Sequence, residues 1–542
     1  MSTTDYLVIL VFSLMILIAG LSFSRSGNNM KSFFAAGGNV PWWLSGLSLF
    51  MSFFSAGTFV VWGSIAYKYG WVAVTIQWMM SLGGFVIAFF IAPRWRKTGV
   101  LTVGQYIGDR YGPSLKNFYS YIFLVLSFVT TGAFLYPVAK LFNVSTGFSI
   151  EISVIVLGII ILLYTAAGGL WAVIITDVLQ FVILFAAIII VVPLAFGQAG
   201  GIENWVNRTP EGFFDLFNEE YSIGFLFAFT LYNAVYIGGN WAYVQRFTSV
   251  KDPRAAKKAG LLFAGLYIFS PILWMIPPMI YRTLHPDLSG LENEGAYLLM
   301  CKEVLPVGML GMMLGGMIFA TASSVNTTLN MAAAVFTNDI YKNLRKGITN
   351  RQLMQMARIS TVVFGLITIG IALLVPAAGG IVEVVISFGA ITGVPLYGPA
   401  IWALFSQRQT MFSIAATTLI SIAVGLFFKF LSPAFWGFSL NRAEEMLVGT
   451  ITPLVLLAGF EIYQRIKNQT GVPFVQPRLE EESQSEETSG EQNQFALRVM
   501  GITLILTGLM IGILGMVAES GKWIVVPVGA IVLVAGLLIY RK

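Results

Sequence analysis

Ten residues, Thr321–Asn330 (TASSVNTTLN), place seven polar side chains inside an otherwise apolar run: Thr321, Ser323, Ser324, Asn326, Thr327, Thr328 and Asn330. Ser323, Asn326, Thr327 and Asn330 follow an i, i+3, i+4, i+7 spacing, which gathers them on one helix face. Neutral oxygens on one face suit a hard monovalent cation such as Na⁺. The patch is too polar to face lipid, where such groups are retained only for binding or for lining a cavity. A second patch, Ser48–Thr58 (SLFMSFFSAGT), carries Ser48, Ser52, Ser55, Gly57 and Thr58. Small hydroxyl residues with Gly permit a helix break, and a break frees carbonyl oxygens for a cation. Ordinary packing, with each hydroxyl bonded to its i−4 carbonyl, competes with that reading. A third patch joins Gly168-Gly169 to Thr176-Asp177. An embedded carboxylate can ligate sodium, carry a proton, or pair with a Lys or Arg. In the fourth, Asn233 and Tyr236 share a face, with Asn240, Gln245 and Arg246 following. Amide and phenol suit a polar organic solute, and hydrogen bonding between helices would use them equally well. Gln77 is a further isolated polar group.

The elements that hold these patches must cross a bilayer. The 542 residues are 57% hydrophobic and 11% charged, with mean hydropathy +0.79. Soluble domains carry about 25% charged residues, so the solvent here is mostly lipid. Fourteen or fifteen apolar runs have the length of roughly 20 residues that a crossing needs: near 5–23, 40–66, 71–93, 118–143, 149–168, 171–197, 222–248, 259–285, 303–340, 353–375, 379–405, 411–430, 444–464, 496–518 and 522–540. The first run follows Thr3-Thr4-Asp5 and lacks a basic leader and a cleavage site. Clusters such as Arg94–Lys97, Arg246–Lys258, Lys342–Arg358, Arg408 and Arg465–Lys467 fall on one parity of the alternating path. That side is expected to be cytoplasmic, with the N-terminus outside. These loops account for the net charge of +6 without nucleic acid. Cys301, the single cysteine, leaves no intrachain disulfide, and the single histidine, His285, reads as a loop residue. The organisation expected is a transporter unit over 1–465, an acidic cytoplasmic linker over 466–494, and C-terminal crossings over 495–542.

No nucleotide-binding G-x-x-x-x-G-K-[ST] string, Ser–His–Asp set or H-E-x-x-H occurs, so an enzyme or ATP-driven pump is not expected. A channel would show a repeated carbonyl filter or charged ring, and a sensor would carry a soluble signalling domain.

The text around the patches resembles the sodium:solute symporter family, which includes sodium/glucose, sodium/proline and sodium/sialic-acid transporters. The matching strings are Pro41-Trp42-Trp43, Thr102–Tyr111 (TVGQYIGDRY), Gly168–Gln180 (GGLWAVIITDVLQ), Gln245-Arg246, Ser323-Ser324 and Phe336–Tyr341 (FTNDIY). The resemblance implies an all-α core of two inverted five-helix repeats, about 40–197 and 222–405, each opening with a broken helix. It implies a sodium site made of the Met51, Phe54 and Ala320 carbonyls and the Ser323 and Ser324 hydroxyls. Some members hold a second sodium with residues matching Asp177, Ser323, Asn326 and Thr327; Asn326 stands where those members have Ser or Thr.

For the solute the resemblance points to Ser55, Thr58, Gln77, Asn233 and Tyr236. The sugar branch also uses a Glu, here Gln77, and a Lys that falls near Tyr267 or Ile268. The sialic-acid branch uses an Arg near Thr130–Thr131, absent here. The expectation is an integral protein of a bacterial-type plasma membrane that imports a sugar or polyol with sodium by alternating access. Proton coupling, or a monocarboxylate, amino acid or sialic-acid-like solute, is the alternative.

Overall fold

The computed structural model describes residues 1–22, 38–100, 103–164, 170–341, 345, 349–468 and 485–541. The chain is helical: α1 (Thr3–Leu21), α2 (Trp42–Met51), α3 (Gly63–Tyr69), α4 (Val72–Thr98), α5 (Val103–Tyr111), α6 (Pro113–Thr146), α7 (Ile150–Tyr164), α8 (Leu170–Gln198), α9 (Ile202–Arg208) and α10 (Ile223–Gly239). It continues through α11 (Trp241–Thr248), α12 (Pro253–Leu284), α13 (Ala296–Val304), α14 (Met309–Val335), α15 (Asn350–Leu374), α16 (Ile381–Phe405), α17 (Met411–Trp436), α18 (Arg442–Ile466), α19 (Ser485–Val517) and α20 (Lys522–Tyr540). Among the described residues no β-strand forms beyond one isolated bridge, Val40–Val250. Among the described residues, eleven helices are long and apolar enough to span a bilayer, and four shorter apolar helices join them. Together they answer to the fifteen runs read from the sequence.

Two of these crossings are broken, and each opens a series of five. The first is α2 and α3, followed by α4, α6, α7 and α8; the second is α10 and α11, followed by α12, α14, α15 and α16. Lipid offers no hydrogen bonds to interrupted backbone, so each interruption must be compensated by protein. In α16, Pro399 removes the amide that would serve the Pro395 carbonyl. Thr418 of α17 donates to that carbonyl at 3.0 Å and meets the Tyr119 hydroxyl at 2.9 Å. Close helix approach depends on glycine, and two places show it most sharply. A Cβ on Gly311 would lie 2.2 Å from the Asp5 carbonyl oxygen, and one on Gly449 2.0 Å from that of Ala390. The first contact lets the Asp5 carboxylate of α1 accept the Gly308 and Gly311 amides at 2.9 and 3.1 Å, capping α14 where its N-terminal N–H groups are unserved.

The loops sort onto two ends. At one end Arg96 donates to Val250 O at 2.6 Å, Arg110 to the Ala403 and Ser406 carbonyls, and Arg94 lies over the Phe405 ring. At the other end Lys429 pairs with Glu383 at 2.5 Å and Glu445 at 2.9 Å, and Arg442 pairs with Glu220 and Glu383. There also the Glu294 carboxylate accepts the Tyr136 hydroxyl and the Ile381 amide, each at 2.9 Å. Basic loops far apart in sequence thus meet at one end, as the parity of Lys and Arg requires.

Two boundaries differ from the sequence reading. The run read as 303–340 divides at Leu305–Gly308, where Pro306 precedes a left-handed Gly308 (φ 88°), so α13 is a separate short helix. Helix α19 begins at Ser485, inside the segment read as linker; residues 469–484 of that segment lie outside the described residues.

Candidate functional site

The break in the first broken crossing follows from its sequence. After Met51 the ladder becomes irregular: Phe54 N still reaches Phe50 O at 3.1 Å, while turn-like bonds run from Phe53 N to Phe50 O (3.0 Å) and from Thr58 N to Ser55 O (2.9 Å). The Thr58 hydroxyl donates to Phe53 O at 2.5 Å and accepts from Ser55 N at 3.2 Å. The Met51 carbonyl keeps a long 3.3 Å contact from Phe54 N, which leaves lone-pair capacity for a cation. One bond ties this break to α14: Ala56 N donates to the Thr321 hydroxyl at 3.3 Å. On α14, Ser324 donates weakly to Ala320 O at 3.4 Å. The expected sodium residues Met51, Phe54, Ala320 and Ser324 therefore lie on two elements that touch. The side chains of Ser323, Asn326 and Thr327 fall outside the described ones, as do Gly168 and Gly169.

Asp177 of α8 is buried in a three-helix relay. Its Oδ2 accepts from Ser48 Oγ of α2 at 2.6 Å and lies 3.6 Å from Arg246 Nη2 of α11. Arg246 Nε reaches Ser48 Oγ at 3.3 Å, and Ser45 Oγ donates to the Arg246 carbonyl at 2.5 Å. Both charged side chains are nearly sealed, at 8% and 5% exposure. Such a pair holds its elements together because either charge alone in that place is costly. Of the three roles open to Asp177, partnership with an Arg is the one in place here.

The expected solute residues separate into two groups. Tyr236 lines a small cavity. Its other walls are Ser127 and Thr130 of α6, Asn240 at the second break, Tyr243 of α11, Thr328 of α14 and Tyr397 of α16, with two phenylalanines, two leucines, an alanine and a methionine. The described residues that line it carry no charge. Asn240, extended at ψ 128°, ends α10 and caps Ala242 N at 3.1 Å, so the break itself forms part of the wall. Tyr236 packs edge-on against Tyr243 and Tyr397, with centroids 5.8 and 5.6 Å apart. Asn233, Ser55, Thr58 and Gln77 do not line the cavity. Asn233 donates to Phe229 O at 2.7 Å beside Gly83 of α4. Gln77 is fully buried and accepts from the Trp274 indole at 3.0 Å.

Comparison with known proteins decides the identity. The family model described as "Sodium:solute symporter family" matches residues 33–417, well over half of the chain. The chain belongs to the sodium:solute symporter family. This is a family of transporters, and its members couple a solute to sodium. Among similar symporters, the sodium/sialic acid symporter NanT of Aliivibrio fischeri is 26% identical over 484 residues, covering 86% of this chain and 94% of its own. The sodium/glucose cotransporter of Vibrio parahaemolyticus is 26% identical over 501 residues, covering 84% and 90%. In structure the symporter resembles a Na⁺-coupled sialic acid symporter solved in a substrate-bound outward-open state, with TM-score 0.70, 19% identity, and 88% and 100% of the two chains covered. Mhp1, a nucleobase-cation-symport-1 transporter in a closed conformation, follows with TM-score 0.51 and 13% identity over 86% and 99%. These likenesses show the fold: the broken-helix, inverted-repeat core of secondary transporters.

Sequence reading passed over several residues that the structure places around the first break and the cavity. Thr321 was noted only as part of a polar string, yet it is the contact between break and α14. Trp274 was not singled out from the sequence of its helix. Tyr243 and Tyr397 were not singled out either; the signal available was a phenol inside a lipid-crossing run, where the hydroxyl needs a partner.

Proposed function

We propose that this symporter imports a small uncharged polyhydroxylated solute, of hexose or polyol class, with sodium by alternating access. The observation that carries the solute class is the cavity at Tyr236. Aromatic faces with hydroxyl and amide groups suit sugar rings, which present apolar faces and a rim of hydroxyls. A carboxylated solute would enter without a countercharge, at a desolvation cost of several kcal/mol. Thr130, on the wall near which the sialic-acid branch carries an Arg, offers only a hydroxyl. The glucose-transporting relatives share this preference for a neutral solute by name; NanT supports the acidic alternative.

Sodium is assigned to the Met51, Phe54 and Ala320 carbonyls and the Ser323 and Ser324 hydroxyls. The Ala56–Thr321 bond supports this, because a cation bridging break and α14 reinforces a contact already present. A second sodium at Asp177, Asn326 and Thr327 has to compete with Arg246 for the carboxylate. Of the solute contacts, Tyr236 is assigned to this cavity; Ser55, Thr58, Gln77 and Asn233, which lie outside its lining, are assigned to the solute in another state of the alternating-access cycle, and residues 1–465, with repeats at about 40–197 and 222–405, form the transporting unit. The basic loops are assigned to the cytoplasm of a bacterial-type plasma membrane, with the N-terminus outside.

The test is uptake into liposomes under imposed sodium, potassium or pH gradients, across a panel of hexoses, polyols, amino acids and carboxylates. Sodium-driven accumulation of a neutral member is expected. Accumulation restricted to carboxylates, or driven by pH alone, would overturn the proposal.

A further inference from the structure

Helix α4 packs on α12 through a ladder of polar contacts. Trp78 donates to Ile268 O at 2.9 Å, Ser81 to Ala264 O at 2.8 Å, and Gln77 accepts from Trp274 Nε1 at 3.0 Å. The last contact differs in kind. An indole N–H is a donor only, so the atom facing it must be the Gln77 carbonyl oxygen. That settles which way the carboxamide points. Its NH₂ end, Nε2, is then fixed at the other side, buried and without a partner among the described residues. Buried donors are almost always satisfied, so Nε2 calls for an acceptor that the described residues do not supply.

Trp274 also touches the sodium break. Its ring stacks on Phe54 with centroids 4.6 Å apart at 25° and on Phe50 at 5.9 Å and 30°. Those rings are fully buried and sit on either side of Met51. The indole cannot rotate its N–H away from Gln77 without disturbing its stacks on Phe50 and Phe54.

We infer that Trp274 is a positioning residue that makes Gln77 a one-way hydrogen-bond donor to the solute and links that bond to the sodium break. The solute group at Gln77 is an acceptor oxygen. Its bond is strongest when the break is assembled, so sodium and solute binding reinforce each other through the indole. This rests on the assignment of Gln77 to the solute site.

The test uses the neutral hexose that the wild type accumulates best, with its monodeoxy and monodeoxyfluoro analogues. Fluorine accepts but cannot donate; hydrogen does neither. At one ring position the fluoro analogue should compete nearly as well as the parent, and the deoxy analogue roughly tenfold worse, the scale of one hydrogen bond. No such position in the wild type would overturn the inference without any variant being made. Trp274→Phe keeps the stack and removes the N–H: the fluoro-versus-deoxy difference should shrink toward one and the solute KM should become less sensitive to sodium, with kcat at saturating solute retained. Trp274→His restores a ring N–H and should recover part of the difference. Gln77→Ala separates the premises. If it leaves uptake and discrimination unchanged, the site assignment fails; if it abolishes discrimination while Trp274→Phe preserves it, the role of Trp274 fails.

Discussion

Replacing Arg246 by Gln leaves Asp177 as a nearly sealed carboxylate whose remaining partner among the described residues is the Ser48 hydroxyl at 2.6 Å. Removing one member of a buried pair costs about 3–5 kcal/mol, whereas replacing both by neutral groups is often close to neutral. At 3.6 Å and with both side chains under one-tenth exposed, this pair falls in that regime and not in that of surface pairs. A loss of about 3 kcal/mol, expressed fully in the rate of heat inactivation, is roughly a hundredfold. Asp177→Asn should cost less, because Arg246 still donates to Ala242 O at 2.6 Å and can reach Ser48. The double variant, Gln facing Asn, should inactivate within about tenfold of the wild type. The assay is the half-life of purified protein at fixed temperature, followed by size-exclusion and by sodium-driven uptake. Additive losses in the double variant would refute the pairing as the source of the effect. Unaltered half-lives in both single variants would show that the relay does not join α2, α8 and α11. Uptake adds a second reading: if a second sodium uses Asp177, Asp177→Asn lowers the sodium-to-solute ratio, and an unchanged ratio assigns the residue to structure alone.

Ser324→Ala should raise the sodium concentration for half-maximal uptake several-fold while saturating sodium restores the rate; unchanged sodium dependence would move the ion elsewhere. Gly449→Ala drives a Cβ to 2.0 Å from the Ala390 carbonyl oxygen, so α16 and α18 must part, and folded monodisperse protein should be lost; normal yield would contradict so close an approach. Glu294, held by Tyr136 and Ile381, has its carboxyl raised above the usual range by burial, against those hydrogen bonds and Lys140. A raised folded value means stability that is present in acid and lost as pH rises through that value. Thermal stability should therefore fall as pH climbs just above the ordinary glutamate range, and Glu294→Gln should flatten that slope; an opposite slope would contradict the burial.

The sequence exposed the architecture because its signals are local. A crossing is a run of apolar residues, and a break in one is a cluster of Ser and Gly that lipid alone would penalise, as at Ser48–Thr58. The basic loops carried the two-ended arrangement in the same way. The split at Leu305–Gly308 was legible from Pro306 and Gly308 but was masked by apolar residues on both sides. Pairing across the fold was not legible. Asp177 and Arg246 are both visible as embedded charges, yet nothing local says that they meet through Ser48. Trp274 carried even less signal, since a Trp in an apolar helix is usually packing. Only the donor-only chemistry of its indole, facing a particular amide, distinguishes it. The string Thr321–Asn330 predicted oxygen on one face; that Thr321 would be the residue gripping the first break depended on how α14 packs.

The most direct test of the whole account is charge movement with uptake in proteoliposomes holding purified protein. A neutral hexose or polyol should be accumulated only when a sodium gradient points inward, with net positive charge entering in step with solute, and Ser324→Ala should shift the sodium requirement of that current. Accumulation that persists when potassium replaces sodium, or solute movement without charge, would contradict the sodium-coupled mechanism at the break between Met51 and Thr58.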